Sequence, residues 1–389
     1  MTLSFDNTQI AFSGKSGNDL NRSYWLFKMV SNRALVNFGK TATDIAVKLD
    51  LPVKWIIKPT IFKQFCGGET IEECEKVVEQ LAKYNIGSIL DYSIEGKESE
   101  EDFERCAQAT IATIEKAKEN KNIPFCVFKI TGLARFELLE KVSAGQALNE
   151  NEKTEYDLVK KRIDIICKRS FENNVCIFIG AEESWIQPAM DDIANEMMQQ
   201  YNQKKAIVYN TYQLYRKDRL DYLKRTFEMA HSGNYFLGAK LVRGAYMEKE
   251  RARAEKNSYP SPIQENKNDA DKDYDLALKF CIDNIERIAL CAGTHNEKSS
   301  IRLTELMKEK NIPANNPSVY FSQLFGMSDH ISFNLANAGY NVAKYVPYGP
   351  VKDVLPYLIR RAQENTSIKG QTGRELSLII KEKNRRKGS

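Results

Sequence analysis

The sequence predicts a distorted (β/α)8 barrel that follows an N-terminal helical arm. From residue 86 onward, eight short apolar runs rich in β-branched residues alternate with long, charged stretches of helical periodicity. Strands that alternate with helices indicate a parallel sheet, and eight such units over roughly 280 residues fit a closed barrel. A doubly wound open sheet is the alternative. That fold usually carries a glycine-rich phosphate loop after its first strand, and Asp91–Gly96 lacks the pattern.

Three segments organise the chain: a helical arm over residues 1–85, the barrel over 86–368 and a basic tail over 369–389. The predicted strands are Ile86–Glu95, Phe125–Leu133, Val175–Glu182, Ala206–Gln213, Phe236–Tyr246, Ile288–Asn296, Val319–Leu324 and Val342–Gly349. The predicted helices include Asn18–Leu35, Thr41–Lys48, Ile71–Tyr84, Glu101–Asn120, Lys153–Asn173, Arg216–Ser232, Asp271–Ile285 and Lys298–Lys310. We expect the tail, with its basic cluster Lys381–Lys387, to be a frayed end.

Composition narrows the function classes. An apolar content of 42% is enough for a large core and argues against global disorder. The net charge of +5 comes from 57 basic and 52 acidic residues, so the surface is mixed and no nucleic-acid partner is indicated. No apolar run approaches the ~20 residues of a spanning helix, and Met1–Asp6 resembles neither a signal nor a transit peptide. We expect a cytoplasmic protein, with peripheral contact at the inner membrane as a further expectation.

Cysteine and histidine usage argues against structural metal. The eight cysteines are scattered without a CxxC pair, which indicates reduced, mostly buried thiols. Cys66 stands beside two glycines and is either a reactive thiol or, as we favour, a buried structural cysteine. No two of His231, His295 and His330 have a helical metal-ligand spacing, so a zinc enzyme is not indicated.

Polar residues lie in or just after nearly every predicted strand. They are Asp91, Ser93, Glu95, Lys129, Thr131, Glu182, Gln213, Lys240, Arg243, Thr294, His295, Asn296, Gln323, Lys344 and Tyr345. Strands buried on both faces should be almost continuously apolar, and the active sites of barrel enzymes lie at the carboxyl ends of the strands. Ordinary loop polarity would explain one such residue, but not lysines expected within strands, such as Lys129 and Lys240. The pattern therefore predicts a site at this face.

The last predicted helix follows the strand end Tyr345–Pro350. We expect Asp353 to be its N-cap and Pro356 to lie in its first turn. Its apolar face comprises Val354, Leu355, Leu358, Ile359 and Ala362, whereas Tyr357, Arg360, Arg361 and Glu364 lie off that face. If the helix faces water, the arginines are solvated. If it faces a cavity, the two guanidiniums form a carboxylate site.

The chemistry of these groups suits a ligand-rich site. The sequence shows no obvious Ser–His–acid set, and His295 is either a general base, a ligand contact or a core histidine. Many amide, hydroxyl and cationic donors favour a large polar cofactor and an anionic substrate.

Four motifs together resemble proline dehydrogenases in their order and spacing. They are Lys240–Tyr246 with Glu250 and Arg251, Thr294–Asn296, Tyr345–Gly349 and Tyr357–Asn365. The resemblance covers essentially the whole chain. Phe65–Thr70 and Asp91–Gly96 are similar to the stand-alone, mitochondrial-type members and not to the bifunctional bacterial ones.

The resemblance implies non-covalent FAD and oxidation of L-proline to 1-pyrroline-5-carboxylate, the first step of proline catabolism to glutamate. Hydride would pass from proline Cδ to flavin N5, electrons would go on to a quinone, and the last helix would lie over the barrel mouth. By resemblance, the substrate-binding residues are Glu95, Lys129, Tyr345, Arg360 and Arg361, and all of these except Glu95 are also taken as catalytic. The FAD-binding residues would be Gln213, Lys240, Arg243, Gly244, Ala245, Tyr246, Thr294, His295, Asn296, Gln323 and Glu364. Either Lys240 or Arg243 would stabilise negative charge on the flavin.

The sequence departs from the family pattern at three positions. Gly180 stands where an aspartate beside the substrate is usual, Lys240 where many bacterial members have arginine, and Ala270 where a threonine is usual. Glu182 could compensate for the missing aspartate. Gly180 therefore supports an alternative, a flavin- and proline-binding barrel of low turnover that acts as a sensor. Tyr345 is typical of the proline-specific branch and not of the hydroxyproline-specific one, and the arginine pair does not suit a folate reductase.

Overall fold

The computed structural model describes residues 3–31, 54–93, 98–367 and 371–388. Eight parallel strands form one closed barrel in sequence order, which confirms the predicted fold class and excludes the open sheet. The strands are Ile86–Tyr92 (β1), Phe125–Lys129 (β2), Cys176–Gly180 (β3), Val208–Gln213 (β4), Leu237–Val242 (β5), Ile288–Gly293 (β6), Val319–Leu324 (β7) and Val342–Tyr348 (β8).

The chain divides into two compact units. Residues 1–95 and 323–389 form the terminal unit, and residues 96–322 form the central unit. This division differs from the predicted segments, whose boundaries at residues 85 and 368 remain a proposal. No helix among the residues that the structure describes is long and apolar enough to cross a membrane.

The helices of the central unit follow the strands as a barrel requires. They are Glu100–Glu119, Phe136–Ser143, Glu150–Asn173, Gln187–Tyr201, Arg219–Ser232, Met247–Lys256, Lys267–Asp283 and Glu297–Glu309. The sequence prediction missed Phe136–Ser143, Gln187–Tyr201 and Met247–Lys256. Most residues of Gln187–Tyr201 are buried. Met247–Lys256 is almost entirely polar.

Aromatic rings fill the interior of the central unit. Phe125 stacks on Phe178 with 4.5 Å between the ring centroids, and the edge of Tyr320 meets Phe125 at 4.8 Å. Tyr209 packs edge-on against both phenylalanines. These four residues, hereafter the aromatic layer, come from β2, β3, β4 and β7. Side chains alternate along a strand, so residues two and four positions beyond them face the same interior.

The terminal unit has its own apolar core. Its helical elements are Thr8–Ala11, Gly17–Val30, Lys54–Ile57, the π-helical turn Lys58–Phe62, Lys63–Phe65, Ile71–Ala82, Asp329–Asn337, Val351–Ser367 and Gln371–Lys387. Phe27 meets Phe65 edge to face with 6.5 Å between the centroids, and Val354 and Leu358 of the penultimate helix are buried in the same cluster. Helix Gly17–Val30 begins with a capping box between Ser16 and Asp19. The predicted helix Thr41–Lys48 lies outside the described residues.

Three expectations about the penultimate helix are wrong. The penultimate helix begins at Val351, so Asp353 lies within its first turn and is not the N-cap, and Pro356 lies inside the helix. The amide groups of Asp353 and Val354 donate to the carbonyl of Pro350, which starts the helix directly after the Gly-Pro turn. Tyr357 was placed off the apolar face, but it is buried in the core.

The tail is not frayed. Gln371–Lys387 is a helix whose Leu378 and Ile379 are buried in the core of the terminal unit. The Arg386 guanidinium donates to the backbone carbonyls of Phe12 and Lys15, at 2.8 Å each. Burial opposes ionisation of Glu382, yet hydrogen bonds from Arg385 and Arg386 hold its pKa at about 2. Charge alone therefore misled the prediction, because the apolar residues between the basic ones anchor this helix.

Six of the eight predicted strands run too far at their carboxyl ends, whereas β4 and β7 end at Gln213 and Leu324 as predicted. After Lys129 the chain enters a 3-10 turn, Ile130–Gly132, and after Val242 it leaves the ladder before Gly244. β3 ends at Gly180 and β6 at Gly293. Polar side chains that local patterning assigned to strands therefore lie on the loops that follow them.

Candidate active site

Inner-face positions of the central unit carry the first group of predicted site residues. Lys240 of β5 pairs in register with Thr211 of β4 and Cys291 of β6, and it is nearly buried. Its Nζ lies 4.8 Å from the ring centroid of Phe178, so the ammonium lies over the aromatic layer. This cation–π contact offsets part of the cost of placing a cation inside the barrel. Burial raises the pKa of the neighbouring Cys291 thiol to about 12, although Lys240 opposes that rise.

Lys129 is the last residue of β2 and not a residue within the strand. It pairs in register with Gly180, and a Cβ built on Gly180 would lie 3.1 Å from Lys129 Cγ. Gly180, which stands where the family usually has an aspartate, is therefore directly beside Lys129. A side chain at position 180 would therefore contact the Lys129 side chain.

The Glu182 carboxylate is bound by the loop that follows β2. The hydroxyl of Thr131 donates to both carboxylate oxygens of Glu182, at 2.8 Å each, and Gln213 Nε2 donates to the Glu182 backbone carbonyl at 2.6 Å. Thr131 and Glu182 were predicted to lie within the strands Phe125–Leu133 and Val175–Glu182, but both lie beyond the observed strand ends. Glu182 and Gln213 thus fix the loop that follows β3.

Arg243 links the carboxyl ends of β5 and β6. Its Nε donates to Asp271 Oδ1 at 2.6 Å, one terminal nitrogen donates to Thr294 Oγ1 at 2.7 Å, and the other donates to Ser299 Oγ at 3.0 Å. Its guanidinium lies 4.4 Å from the Tyr274 ring centroid. Burial opposes ionisation of Asp271, but hydrogen bonds from Lys267 and the charge of Arg243 lower its pKa. Asp271 offsets the charge of Arg243.

Gly244 requires its glycine for two reasons. Its φ of 137° is one that side-chain-bearing residues rarely adopt, and a Cβ there would lie 2.3 Å from the Tyr215 ring. Gly244 and Ala245 are exposed, whereas Tyr246 is buried where helix Met247–Lys256 begins. The chain therefore presents bare backbone beside Arg243.

The motif Thr294–Asn296 starts the helix Glu297–Glu309. Thr294 Oγ1 accepts from Arg243 and, at 3.1 Å, from the Asn296 amide. Asn296 is the N-cap, and its Oδ1 accepts from the amides of Lys298 and Ser299 at 2.9 and 3.3 Å. His295 is half-buried between them. Hydrogen bonds within the protein thus explain why positions 294 and 296 are polar, with no bound ligand needed for Thr294 or Asn296.

The central unit also contains two buried acidic residues, Glu250 and Asp191, to which the sequence analysis assigned no role. Glu250 is fully buried and accepts from both the amide and the hydroxyl of Ser184 at 2.6 Å each. Asp191 and Arg219 form a buried ion pair at 2.5 Å, which Asn210 supports by donating to Asp191. Only burial distinguishes these acids from the many surface acids, and local sequence does not reveal it.

The terminal unit carries the second group of predicted site residues. Tyr345 is half-buried in β8, and its backbone carbonyl accepts from the Phe325 amide at 2.8 Å. Gln323 is buried, and its Oε1 accepts from the Ser332 hydroxyl at 2.8 Å. Arg361 is only 8% exposed, and its guanidinium lies 5.2 Å from the Tyr357 ring centroid, while Arg360 is half-buried. The reading in which both arginines are fully solvated is therefore wrong.

Lys344 is part of a buried ion cluster and not of a ligand site. Its Nζ lies 2.8 Å from Asp329 Oδ1 and donates to the Met327 carbonyl, and Lys15 pairs with the other oxygen of Asp329 at 2.8 Å. Burial opposes ionisation of Asp329, but the two lysines hold the pKa of its carboxyl well below the usual range. Lys344 thereby ties β8 to helix Asp329–Asn337 and to the arm.

Glu95, Glu364 and the cysteines are the predicted residues that remain to be placed. Glu95 lies outside the described residues, and the structure describes Glu364 only as part of the helix Val351–Ser367. All eight cysteines are free and seven are buried, which confirms the expected thiols. Cys66 is only 3% exposed, and burial raises the pKa of its thiol well above the ordinary value, which favours the structural interpretation of this cysteine.

A closed (β/α)8 barrel with a cation over its interior and donors beyond its strand ends is the architecture of a barrel enzyme. The family model described as proline dehydrogenase matches residues 74–374. The chain is 35% identical over 430 residues to "Proline dehydrogenase 1, mitochondrial" of Dictyostelium discoideum, an alignment that covers 99% of this chain and 75% of the relative. It is 32% identical over 421 residues to "Hydroxyproline dehydrogenase" of Xenopus laevis, with coverage of 99% and 90%. The chain belongs to the proline dehydrogenase family.

A solved structure shares the fold. The crystal structure of proline utilization A (PutA) from Bdellovibrio bacteriovorus, inactivated by N-propargylglycine, matches with a TM-score of 0.72 at 20% identity. The match covers 94% of this chain and 37% of that larger chain. At this identity the likeness supports the barrel fold alone.

Proposed function

We propose that the chain catalyses the FAD-dependent oxidation of L-proline to 1-pyrroline-5-carboxylate, the first step of proline catabolism to glutamate. One observation carries this proposal beyond family membership. On the inner face of the central strands, the aromatic layer is followed toward the carboxyl ends of the strands by Lys240 and Lys129. A barrel interior that becomes cationic at this face suits an anionic cofactor and an anionic substrate.

The donors of the central unit fit a flavin dinucleotide. Bare backbone at Gly244, where a Cβ would meet Tyr215, lies next to an arginine that is already held in place by Asp271 and Thr294. We propose that the cofactor contacts Gln213, Lys240, Arg243, Gly244, Ala245, Tyr246, Thr294, His295, Asn296, Gln323 and Glu364. The hydroxyl, amide and guanidinium groups in this set match the polar periphery of such a cofactor.

FAD, when bound, supplies the acceptor for a hydride from the substrate's Cδ. The task of the chain is to hold charge and to orient the substrate. Asp271 offsets the charge of Arg243, and we therefore assign the stabilisation of negative charge on the cofactor to Lys240.

Substrate recognition is proposed for Glu95, Lys129, Tyr345, Arg360 and Arg361. Arginine binds a carboxylate with two parallel, charge-assisted hydrogen bonds, which fix orientation as well as affinity. The nearly buried Arg361 suits this role, because a carboxylate bound in a water-poor site is held more strongly. Tyr345 would pack against the proline ring, and Glu95 would pair with an arginine.

The electrons are proposed to leave through a quinone at a membrane surface, which the protein would contact peripherally. The absence of a membrane-spanning helix among the described residues is consistent with peripheral contact. The cytoplasmic location stays a prediction.

Hydroxyproline is a second candidate substrate, favoured by the similarity to the Xenopus laevis relative. We propose L-proline as the preferred substrate, because the bulky Tyr345 leaves less room for a ring hydroxyl.

The proposal is tested with purified protein, L-proline and a soluble dye as electron acceptor. We expect 1-pyrroline-5-carboxylate to form, FAD to be the cofactor released by acid, and trans-4-hydroxy-L-proline to be the poorer substrate. A protein that binds no flavin after reconstitution with FAD would contradict both the proposal and the sensor alternative.

A further inference from the structure

The terminal unit exposes aromatic side chains that a folded surface rarely leaves in water. Of the three tryptophans in the chain, Trp25 is 58% exposed and Trp55 is 83% exposed. Trp25 lies on helix Gly17–Val30, whose opposite side carries the buried residues Leu26, Phe27 and Val30. Met29, one turn beyond Trp25, is also exposed. Helix Gly17–Val30 thus has one face in the core and a second apolar stripe directed outward.

Two lysine side chains lie close to this stripe. Lys28 Nζ lies 5.1 Å from the Trp25 ring centroid, and Lys383 Nζ lies 4.3 Å from the ring centroid of Tyr24. Lys383 belongs to helix Gln371–Lys387, which packs against helix Gly17–Val30, and the exposed Ile380 lies one turn before it. Within the part of the chain that the structure describes, neither Lys28 nor Lys383 forms an ion pair. We call Trp25, Lys28, Met29, Ile380 and Lys383 the aromatic–basic patch.

We propose that the aromatic–basic patch docks the protein on an anionic lipid surface, with Trp55 as a further contact. Tryptophan prefers the membrane interface, where its apolar ring and its polar N–H are both accommodated. Lysines beside it meet the negative headgroups, and each basic residue close to an anionic leaflet strengthens binding. The inference rests on the proposed function only in that a membrane quinone makes a lipid surface the natural partner.

A second copy of the chain fits this patch less well. A symmetric dimer through the patch would place Lys28 and Lys383 near the same lysines of the other copy. No acid of helix Gly17–Val30 other than Asp19 is available to neutralise them, and Asp19 is paired with Arg22 at the start of the helix. A surface of uniformly negative charge complements the patch, whereas its own copy repels it.

The test uses the full-length, FAD-loaded protein and sedimentation with vesicles. We expect binding to vesicles of phosphatidylcholine mixed with phosphatidylglycerol, much weaker binding to phosphatidylcholine alone, and release at high salt. Lys28→Glu should lower the partition coefficient at least about fivefold, because each basic residue near an anionic surface contributes about that factor. Trp25→Ser should lower it by a similar factor. Lys168→Glu and Met229→Ser, matched changes at exposed positions of the central unit, should leave it unchanged.

Tryptophan fluorescence adds a second readout. In a Trp185→Phe background only the two exposed tryptophans emit, and we expect their emission to shift to shorter wavelength with anionic vesicles and to be quenched by brominated lipid. Equal vesicle binding by Trp25→Ser, Lys28→Glu and the unaltered protein would overturn the proposal. So would a lipid-free dimer that Trp25→Ser converts to a monomer.

The two proposals can fail separately. The patch variants should keep proline oxidation with a soluble dye, since the patch contains no proposed substrate or cofactor residue. A protein that oxidises proline with the dye and ignores vesicles would refute the patch alone. A protein that binds vesicles through the patch but does not oxidise proline would refute the proposed function alone.

Discussion

Arg361 is the residue on which proposed substrate binding depends most. It is nearly buried and lies over Tyr357, so its guanidinium has little access to bulk water. We expect Arg361→Met to raise the half-saturating proline concentration by more than tenfold. The loss of a buried, hydrogen-bonded partner of a charged group costs ~2–5 kcal/mol, much of it from leaving the substrate carboxylate unpaired.

Steady-state kinetics with the soluble dye measures this change. Arg385→Met, which removes an arginine that pairs with Glu382 on the last helix, is the control and should leave the half-saturating concentration unaltered. A near-normal value for Arg361→Met, at normal FAD content, would show that Arg361 does not hold the carboxylate.

Gly180 is the second residue with a sharp consequence. We expect Gly180→Asp to raise the rate at which L-proline reduces the flavin, because it places a hydrogen-bond acceptor beside Lys129 where the family usually has one. Lys129 Cγ, at 3.1 Å from the new Cβ, and the Phe128 carbonyl oxygen, at 3.3 Å from it, must each move by a few tenths of an ångström. Stopped-flow absorbance gives the rate, and Gly180→Asn separates the charge from the shape. An unchanged rate in both variants would exclude Gly180 as a cause of low turnover.

At the scale of elements, the ion cluster of Lys15, Asp329 and Lys344 joins β8 to two helical segments. Lys344 is fully buried, so removing its partner leaves a buried charge. We expect Asp329→Asn to lower the free energy of unfolding by ~3–5 kcal/mol, and Asp329→Asn with Lys344→Met to recover much of the loss. Urea denaturation measures both. Asp283→Asn, at a surface pair, is the control and should cost ~0–1 kcal/mol.

The same cluster sets the direction of a pH effect. The pKa of Asp329 is lower in the folded protein than in the unfolded chain, so its contribution to stability is present above pH ~4 and is lost as the pH falls below that value. Asp329→Asn should therefore flatten the fall in stability on acidification. If the single and double variants were equally unstable, the cluster would not act as an ion pair.

Sequence patterning found all eight strands and most of the helices, but it placed most of the strand ends too far along the chain. The alternation of eight apolar runs with charged helices was enough to predict the barrel, because burial on both faces imposes long-range regularity. The strand ends were missed because Lys129 and Val242 are followed by residues that are equally compatible with a strand, until a 3-10 turn or the φ of Gly244 diverts the chain. Lys344 and Asn296 show why site residues could not be assigned from sequence. A polar residue in or after a strand looks the same in sequence whether it binds a ligand, caps a helix or pairs with a buried acid.

At the scale of the whole molecule, each compact unit carries part of the proposed chemistry. The central unit provides the aromatic layer, Lys240 and the network of Arg243 with Asp271 and Thr294. The terminal unit provides Tyr345, Arg360 and Arg361. We propose residues of each unit for substrate and cofactor binding, whereas the aromatic–basic patch belongs to the terminal unit alone.

The most direct test of this account is an anaerobic titration of the purified flavoprotein with L-proline, followed by the visible absorbance of the flavin. We predict that proline bleaches the flavin without oxygen and that added quinone restores the colour. A flavin spectrum that proline perturbs but does not bleach would contradict the enzyme and favour the sensor, and a spectrum that proline leaves unchanged would contradict both.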